Sequence, residues 1–82
     1  MRRSKNEEVS VDCFPDDYFE AKYIGKTNKH FHHNSEYTIK ITQDLFYRTY
    51  TINVIYNKTT DTEMNYETAY SSKIDIKNQW EV

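Results

Sequence analysis

Apolar and polar residues alternate with a period of two through most of this chain, which is the pattern of half-buried β-strands. The clearest stretch runs from Phe46 to Tyr56 and is β-branched or aromatic at most positions. Tyr50, Ile52 and Val54 fall on one face of this stretch, and polar residues mostly alternate with them. The pattern therefore predicts a central strand over residues 46–56, with an apolar face turned toward a core.

Shorter stretches with the same alternation predict further strands over residues 18–24, 36–42, 64–70 and 79–82. Short strands joined by polar turns are typical of small barrels and meanders. The predicted fold class is all-β: a small antiparallel, partly open barrel of about five strands. The expected core consists of apolar residues on the shared faces of these strands: Phe19, Tyr23, Ile39, Ile41, Tyr50, Ile52, Val54 and Trp80.

The connections are expected to be polar and short. They are a loop at residues 26–35, a turn at 43–45, a loop at 57–63 and a turn, or one turn of 3₁₀ helix, at 71–75. We expect Phe31 to anchor the first loop to the barrel. No stretch shows convincing helical periodicity.

Length and composition limit the chain to one domain with a thin core, because 82 residues bury little surface. The hydrophobic share of 37% is low, but the aromatic share of 16% argues against disorder. We divide the chain into an N-terminal arm over residues 1–17 and a barrel domain over residues 18–82.

Charge is small overall, at -2, but it is unevenly placed. Basic residues open the chain, and acids then follow with no base between them: Glu7, Glu8, Asp12, Asp16, Asp17 and Glu20. Such a run is either a solvated lead-in or an acidic surface for a basic partner.

Cys13 is the single cysteine, so no internal disulfide can form. The start of the chain has no signal-peptide pattern, and no apolar run approaches membrane-spanning length. These features predict a cytoplasmic location and no contact with a membrane. Residues Val9–Cys13 alternate and could form an edge strand, which makes a homodimer through sheet edges our expectation for the oligomeric state.

Three histidines, His30, His32 and His33, stand close together in the 26–35 loop. A zinc site there would need Cys13 or Glu36 as a further ligand. We instead interpret the segment as a polar loop and predict no metal and no cofactor.

Catalytic chemistry has no convincing pattern in this chain. A single glycine rules out a glycine-rich phosphate loop. Cys13 stands in an acidic stretch, which disfavours the thiolate that a cysteine nucleophile needs. We therefore predict that the protein is not an enzyme.

The chain has more aromatic residues than a barrel of this size can bury, so some must lie at the surface. Tyr47 and Ile55 fall on the opposite parity from the apolar face of the central strand, and Tyr18 is a third candidate. Exposed tyrosines make good binding anchors. A strand bulge that reverses the parity and buries these side chains is the alternative.

Two functions fit these features. The first is a protein-binding module that uses Tyr18, Tyr47 and Ile55 for contact, with Glu7, Glu8, Asp12, Asp16 and Asp17 steering a basic partner. The second is single-stranded nucleic-acid binding, with bases stacked on tyrosines and phosphates meeting Lys22, Lys26, Lys40 and Arg48. The negative net charge disfavours the second.

Several short motifs resemble those of small SH3-like β-barrel proteins encoded by phages and mobile elements of Gram-positive bacteria. The opening motif is Ala21-Lys22-Tyr23-Ile24-Gly25-Lys26, a polar loop and then Glu36-Tyr37-Thr38-Ile39. The closing motif is Tyr70-Ser71-Ser72, Ile74 and Trp80-Glu81-Val82. The resemblance covers residues 19–82; the lead-in lies outside it, and Asn34-Ser35-Glu36 stands where the family usually has Gly-Lys.

The resemblance implies an SH3-like barrel. It also implies an inhibitor, encoded by a phage, that occupies the surface of a bacterial host or defence protein, as anti-CRISPR and other anti-defence proteins do. The expected partner is thus a bacterial protein, and the expected location is the cytoplasm of the bacterial host.

Overall fold

The computed structural model describes residues 14–81, which form one antiparallel sheet with a short helix. The elements in chain order are β1 (Phe19–Tyr23), β2 (Glu36–Asp44), β3 (Thr49–Asn57), β4 (Thr62–Tyr70), α1 (Lys73–Gln79) and β5 (Trp80–Glu81). The predicted edge strand at Val9–Cys13 lies outside the described residues, as does Val82.

The strand order across the sheet is β4-β3-β2-β1-β5. The first four strands follow one another as a meander, and β5 returns to pair with β1 through Lys22↔Glu81 and Tyr23↔Trp80. Strands β4 and β5 are the two edges of the described sheet, so the curled sheet is not closed. The predicted all-β, partly open barrel of five strands is confirmed.

The core lies on one face of this sheet and is capped by α1 and the 26–35 loop. Its buried residues are Ala21, Tyr23, Phe31, Tyr37, Ile39, Ile41, Tyr50, Ile52, Val54, Ile76 and Trp80. The core prediction is confirmed except at Phe19, which is half-buried and packs against the margin of the cluster.

Phe31 lies at the centre of a group of aromatic rings, as the sequence predicted for an anchor of its loop. Its ring centroid is 5.0 Å from that of Tyr23, 5.2 Å from Trp80, 5.3 Å from Tyr37 and 5.4 Å from Tyr66. Three of these four contacts are edge-to-face, the geometry that the charge distribution of aromatic rings favours.

The central strand begins at Thr49 rather than at Phe46, so the predicted start is wrong. Strand β2 continues to Asp44, and the chain then turns. The Asp44 side chain sets this turn, because its Oδ1 accepts hydrogen bonds from the backbone N–H groups of Phe46 (3.0 Å) and Tyr47 (3.2 Å). Phe46 and Tyr47 have side chains that favour a strand. The chain turns here instead, because an Asp side chain readily accepts hydrogen bonds from nearby backbone N–H groups.

Helix α1 stands where the sequence predicted only a short turn. Ser72 caps it, with Oγ accepting a hydrogen bond of 3.2 Å from the N–H of Asp75. The helix has seven residues, and Ile76 is the one that is buried. A single buried position cannot produce a helical period, so the pattern along the sequence did not show it.

A bulge near the end of β3 changes which side chains face the core. The β3–β4 register shifts between Val54 and Tyr56, which leaves Ile55 outside the ladder. Asn57 is buried beyond the bulge, whereas Tyr56 is half-buried despite its core parity. Ile55 nevertheless remains exposed, so the bulge did not bury it.

Candidate functional site

The most exposed large apolar side chains of the described residues gather in the turn between β2 and β3. Leu45 is 77% exposed, Phe46 85% and Tyr47 70%. We call residues Leu45–Arg48 the hairpin tip. The rings of Phe46 and Tyr47 meet nearly edge-on, with centroids 4.8 Å apart and planes at 86°. An apolar cluster of this size on a small domain is typical of an interaction site.

The hairpin tip is held by its backbone rather than by packing on the core. Asp44 and Thr49 pair across the two strands and close the loop. Arg48 adopts φ 59, a left-handed conformation that reverses the chain before β3. Together with the hydrogen bonds that Asp44 accepts, this geometry directs the tip's large side chains outward without requiring any of them to be buried.

A groove lies between the hairpin tip and α1, and we call it the hairpin–helix groove. Its volume is about 760 Å³. The residues that line it are Gln43, Leu45, Arg48, Tyr50, Ser71, Ser72, Lys73, Ile74 and Lys77. Ile74 is 69% exposed and adds a further apolar surface. The described lining residues include three cations and no carboxylate.

Two of these cations have no carboxylate partner among residues 14–81. Arg48 and Lys73 form no ion pair with any of these residues. The ion pair that this part of the chain does contain joins Lys58 Nζ to Glu20 Oε1 at 2.8 Å. The groove therefore combines apolar side chains with the positive charges of Arg48 and Lys73.

The structure separates the residues that the sequence grouped as a binding face. Tyr47 lies in the hairpin tip, not on the outer face of a strand as predicted. Tyr18 (42% exposed) comes directly before β1, and Ile55 (39% exposed) lies at the bulge in β3, so β2 lies between them. We call Tyr18 and Ile55 the outer-face pair, because neither side chain belongs to the core cluster. The Nζ atom of Lys40 stands 5.7 Å from the centre of the Tyr18 ring, so this tyrosine has a polar neighbour.

The acidic candidates fall into two groups. Asp16 and Asp17 are exposed in the bend before β1. Asp17 Oδ1 accepts a hydrogen bond of 2.7 Å from the N–H of Tyr18, so it has a local turn-forming role. Glu7, Glu8 and Asp12 lie outside the described residues.

Sequence reasoning missed Leu45, Phe46 and Ile74 as surface residues. Phe46 shared the parity of the buried face, Leu45 was assigned to a turn, and Ile74 stood in an unrecognised helix. The signal that could have found the hairpin tip is Asp44, because an aspartate before a run of apolar residues can start a turn by bonding the backbone two residues on.

The histidine loop shows three separate environments rather than one site. The ring of His30 stacks on Tyr66 at 3.9 Å between centroids, and His33 Nδ1 lies 3.1 Å from the carbonyl oxygen of Gly25. The backbone N–H of His32 donates to the Tyr37 hydroxyl at 2.9 Å. In the described part of the chain, no group of three or more His, Cys, Asp or Glu side chains is placed to hold a metal ion.

The cations proposed to meet phosphates do not converge. Lys22 pairs across the sheet with Glu36 on one side and Glu81 on the other. Lys40 stands over Tyr18, and Arg48 is at the hairpin tip. The surface around Lys22 is thus locally acidic, which opposes a nucleic-acid track there.

Comparisons with known proteins assign no family. No protein-family model matches the chain, and no characterised protein or solved structure matches it significantly. Among the residues described, none belongs to a helix long and apolar enough to cross a membrane.

Proposed function

We propose that this protein is a non-catalytic protein-binding module whose hairpin tip inserts into a pocket of its partner. One observation carries the proposal: Phe46 and Tyr47 are the most exposed of the large aromatic side chains in the described residues, and they stand side by side on a turn fixed by Asp44. No packing within the described fold requires these rings.

The binding free energy expected from burying these rings is large enough for an anchor residue. A buried phenylalanine or tyrosine removes roughly 150–250 Å² from water. At about 25 cal/mol per Å², each ring could contribute about 4–6 kcal/mol before the costs of association are subtracted. The turn's own hydrogen bonds reduce one such cost, because a preorganised loop loses less conformational entropy on binding.

Single-stranded nucleic-acid binding has less support. Stacking would need bases to meet Phe46 and Tyr47, and the phosphates would then need a basic track leading away from them. Arg48 and Lys73 lie near the tip, but Lys22 is flanked by carboxylates and Lys40 is occupied by Tyr18.

The resemblance to small SH3-like phage proteins supports the finer part of the proposal. On that basis the partner is a bacterial host or defence protein, and the protein acts in the bacterial cytoplasm as an inhibitor that covers the partner's surface. The absence of a recognisable catalytic motif in the sequence agrees with a stoichiometric mode of action.

The test is differential capture from a nuclease-treated bacterial lysate. The bait is wild type, a Phe46→Ser/Tyr47→Ser variant, or a Tyr18→Ser/Ile55→Ser variant as the matched control on the outer face. We expect one protein to be captured by wild type and by the outer-face variant and lost with the tip variant.

Two results would overturn the proposal. One is capture that survives the tip variant and disappears with the outer-face variant. The other is recovery of nucleic acid when the nuclease step is omitted, with binding that weakens steeply as salt is raised.

A further inference from the structure

The free edge of β4 and one face of α1 form a cleft, which we call the edge cleft. Its volume is about 410 Å³, and none of the described residues that line it belongs to the hairpin tip. Residues 68–71 form the strand side, and Asp75, Asn78 and Gln79 form the helix side. We propose that the edge cleft takes an extended, cationic segment of a partner protein, which pairs with β4 as a sixth strand of the sheet. This inference goes beyond the proposed function and holds even if the hairpin tip binds nothing.

The backbone of β4 offers hydrogen-bonding groups on the side of the edge cleft. Residues 66–70 pair with residues 50–54 of β3 without a break in register. Successive residues of a strand direct their N–H and C=O groups to opposite sides, so about half of these groups point away from β3. Within residues 14–81, no backbone hydrogen bond joins β4 to any element other than β3.

The sequence of β4 lacks most of the features that prevent an edge strand from pairing. Edge strands are commonly protected by lysine, proline, a bulge or a short length. Strand β4 has nine residues and contains no Lys, Arg or Pro, and its bulge lies before Tyr66. The described part of β5, at the other edge, has only two residues. The unbroken part of β4 is therefore the edge suited to bind an extended peptide by strand addition.

Charge favours a cation on the added strand. Glu67 is exposed, faces Asn53 of β3, and forms no ion pair with a described residue. Asp75 is exposed on the helix side of the edge cleft, and no cation is among the described residues that line it. Lys73 and Lys77 line the hairpin–helix groove instead. A Lys or Arg placed beside Glu67 would form a cross-strand pair of opposite charge, which strengthens binding by up to about fivefold.

The two faces of the added strand have different neighbours. On the face turned away from the core, its side chains would lie beside Glu67 and Ala69, which are exposed. On the opposite face they would lie beside Tyr66, Thr68 and Tyr70, which are half-buried. Because side chains alternate along a strand, a segment with Lys or Arg at every second position and β-branched residues between them suits both faces. The cations and the β-branched residues thus occupy different faces of one extended segment.

The experiment measures amide hydrogen exchange and NMR shifts of the full chain with a synthetic peptide, acetyl-Lys-Thr-Lys-Thr-Lys-Thr-Lys-amide, at millimolar concentration. We expect slower exchange at the amides of residues 66–70 that point away from β3, and shift changes at Asp75 and Asn78. The fully N-methylated form of the peptide keeps its charges but has no backbone N–H group to donate. It should leave the exchange of these amides unchanged.

Charge variants test the proposed orientation. Glu67→Lys should weaken binding of the Lys-Thr peptide by about fivefold. Glu36→Lys is the matched control, because it makes the same change of charge on β2, with β3 between it and β4. At about 0.15 M salt it should leave the affinity nearly unchanged, because exposed charges far apart are screened. A peptide with Glu in place of Lys should bind the Glu67→Lys variant more tightly than it binds wild type.

Four outcomes would overturn the inference. The first is equal binding of the N-methylated peptide, which would mean electrostatic attraction without strand pairing. The second is a set of shift changes centred away from residues 66–70. The third is slow exchange of the edge amides without peptide; if it increases with protein concentration, a second copy is the occupant. The fourth is unchanged exchange at millimolar peptide. Every variant retains Phe46 and Tyr47, so a failure here leaves the proposed function to its own test.

Discussion

Replacing Phe31 with alanine should lower the free energy of unfolding of this domain by several kcal/mol. The side chain is 4% exposed and contacts four other rings at centroid distances of 5.0–5.4 Å. Burying about 150–250 Å² at about 25 cal/mol per Å² gives roughly 4–6 kcal/mol for the ring. Because alanine retains part of this contact, we expect a loss of about 3–5 kcal/mol, the usual range for such truncations.

Urea unfolding followed by tryptophan fluorescence measures this loss. Trp80 is the single tryptophan, is buried, and lies 5.2 Å from Phe31 between centroids. A domain of this size has an m-value near 1 kcal/mol per M of urea, so the midpoint should fall by roughly 3 M or more. Small domains are stable by only about 5–15 kcal/mol, so a loss of about 3–5 kcal/mol removes a large share of the free energy of unfolding.

Phe46→Ala is the matched control, because it removes the same ring from a position that is 85% exposed. It should change the free energy of unfolding by no more than about 0.5 kcal/mol. Circular dichroism provides a second probe that does not depend on Trp80. A loss below about 1 kcal/mol for Phe31→Ala, or equal losses for the two variants, would refute the assignment of Phe31 as the loop anchor.

Three further predictions concern the surroundings of that anchor. Gly25→Ala should destabilise the fold by about 1–3 kcal/mol in urea unfolding, because an added Cβ would lie 2.7 Å from the buried Tyr23 hydroxyl oxygen; wild-type stability would contradict this. Tyr70→Phe should cost about 1–3 kcal/mol, since the Trp80 indole N–H donates to the Tyr70 hydroxyl at 3.0 Å and would lose its partner. Burial raises the pKa of both Tyr23 and Tyr70, so their contribution is complete below about pH 10 and is lost as pH rises through the higher folded-state pKa. Unfolding free energies measured between about pH 8 and about pH 11 should therefore fall at the alkaline end, and a rise there would be inconsistent with buried neutral phenols.

The β-strands were predictable from the sequence because their residues alternate over long stretches. In β2 and β3, residues such as Ile39, Ile41, Ile52 and Val54 recur every second position and are buried as expected. The same rule failed where local hydrogen bonds compete with strand propensity. Phe46 and Tyr47 have strong strand preference, yet Asp44 turns the chain beneath them.

The helix and the groove were not predictable by pattern. Helix α1 buries Ile76 as its one core residue, and its start depends on the Ser72 cap. Ile74 is the second residue of that helix and lies in its first turn, where it is exposed. The groove wall then depends on bringing α1 beside the β2–β3 turn, a long-range arrangement that no local window contains.

The candidate binding residues illustrate the same limit. The exposure expected for Tyr18, Tyr47 and Ile55 is confirmed. Their grouping into one face is wrong, because the turn at Asp44 takes Tyr47 away from the outer face of the sheet. The alternation of apolar and polar residues shows which face of the sheet a side chain lies on. It does not show at which residue the strand ends.

The most direct test of the central claim is the affinity of the captured partner for three forms of the protein. Isothermal titration would compare wild type, Phe46→Ala/Tyr47→Ala at the hairpin tip, and Tyr18→Ala/Ile55→Ala on the outer face. Truncating one anchor residue costs at least about 2 kcal/mol, so the loss of even one anchor in the tip variant should weaken binding at least roughly 30-fold. The outer-face variant should bind within about threefold of wild type. Equal weakening of both variants, or unchanged binding by the tip variant, would contradict the account.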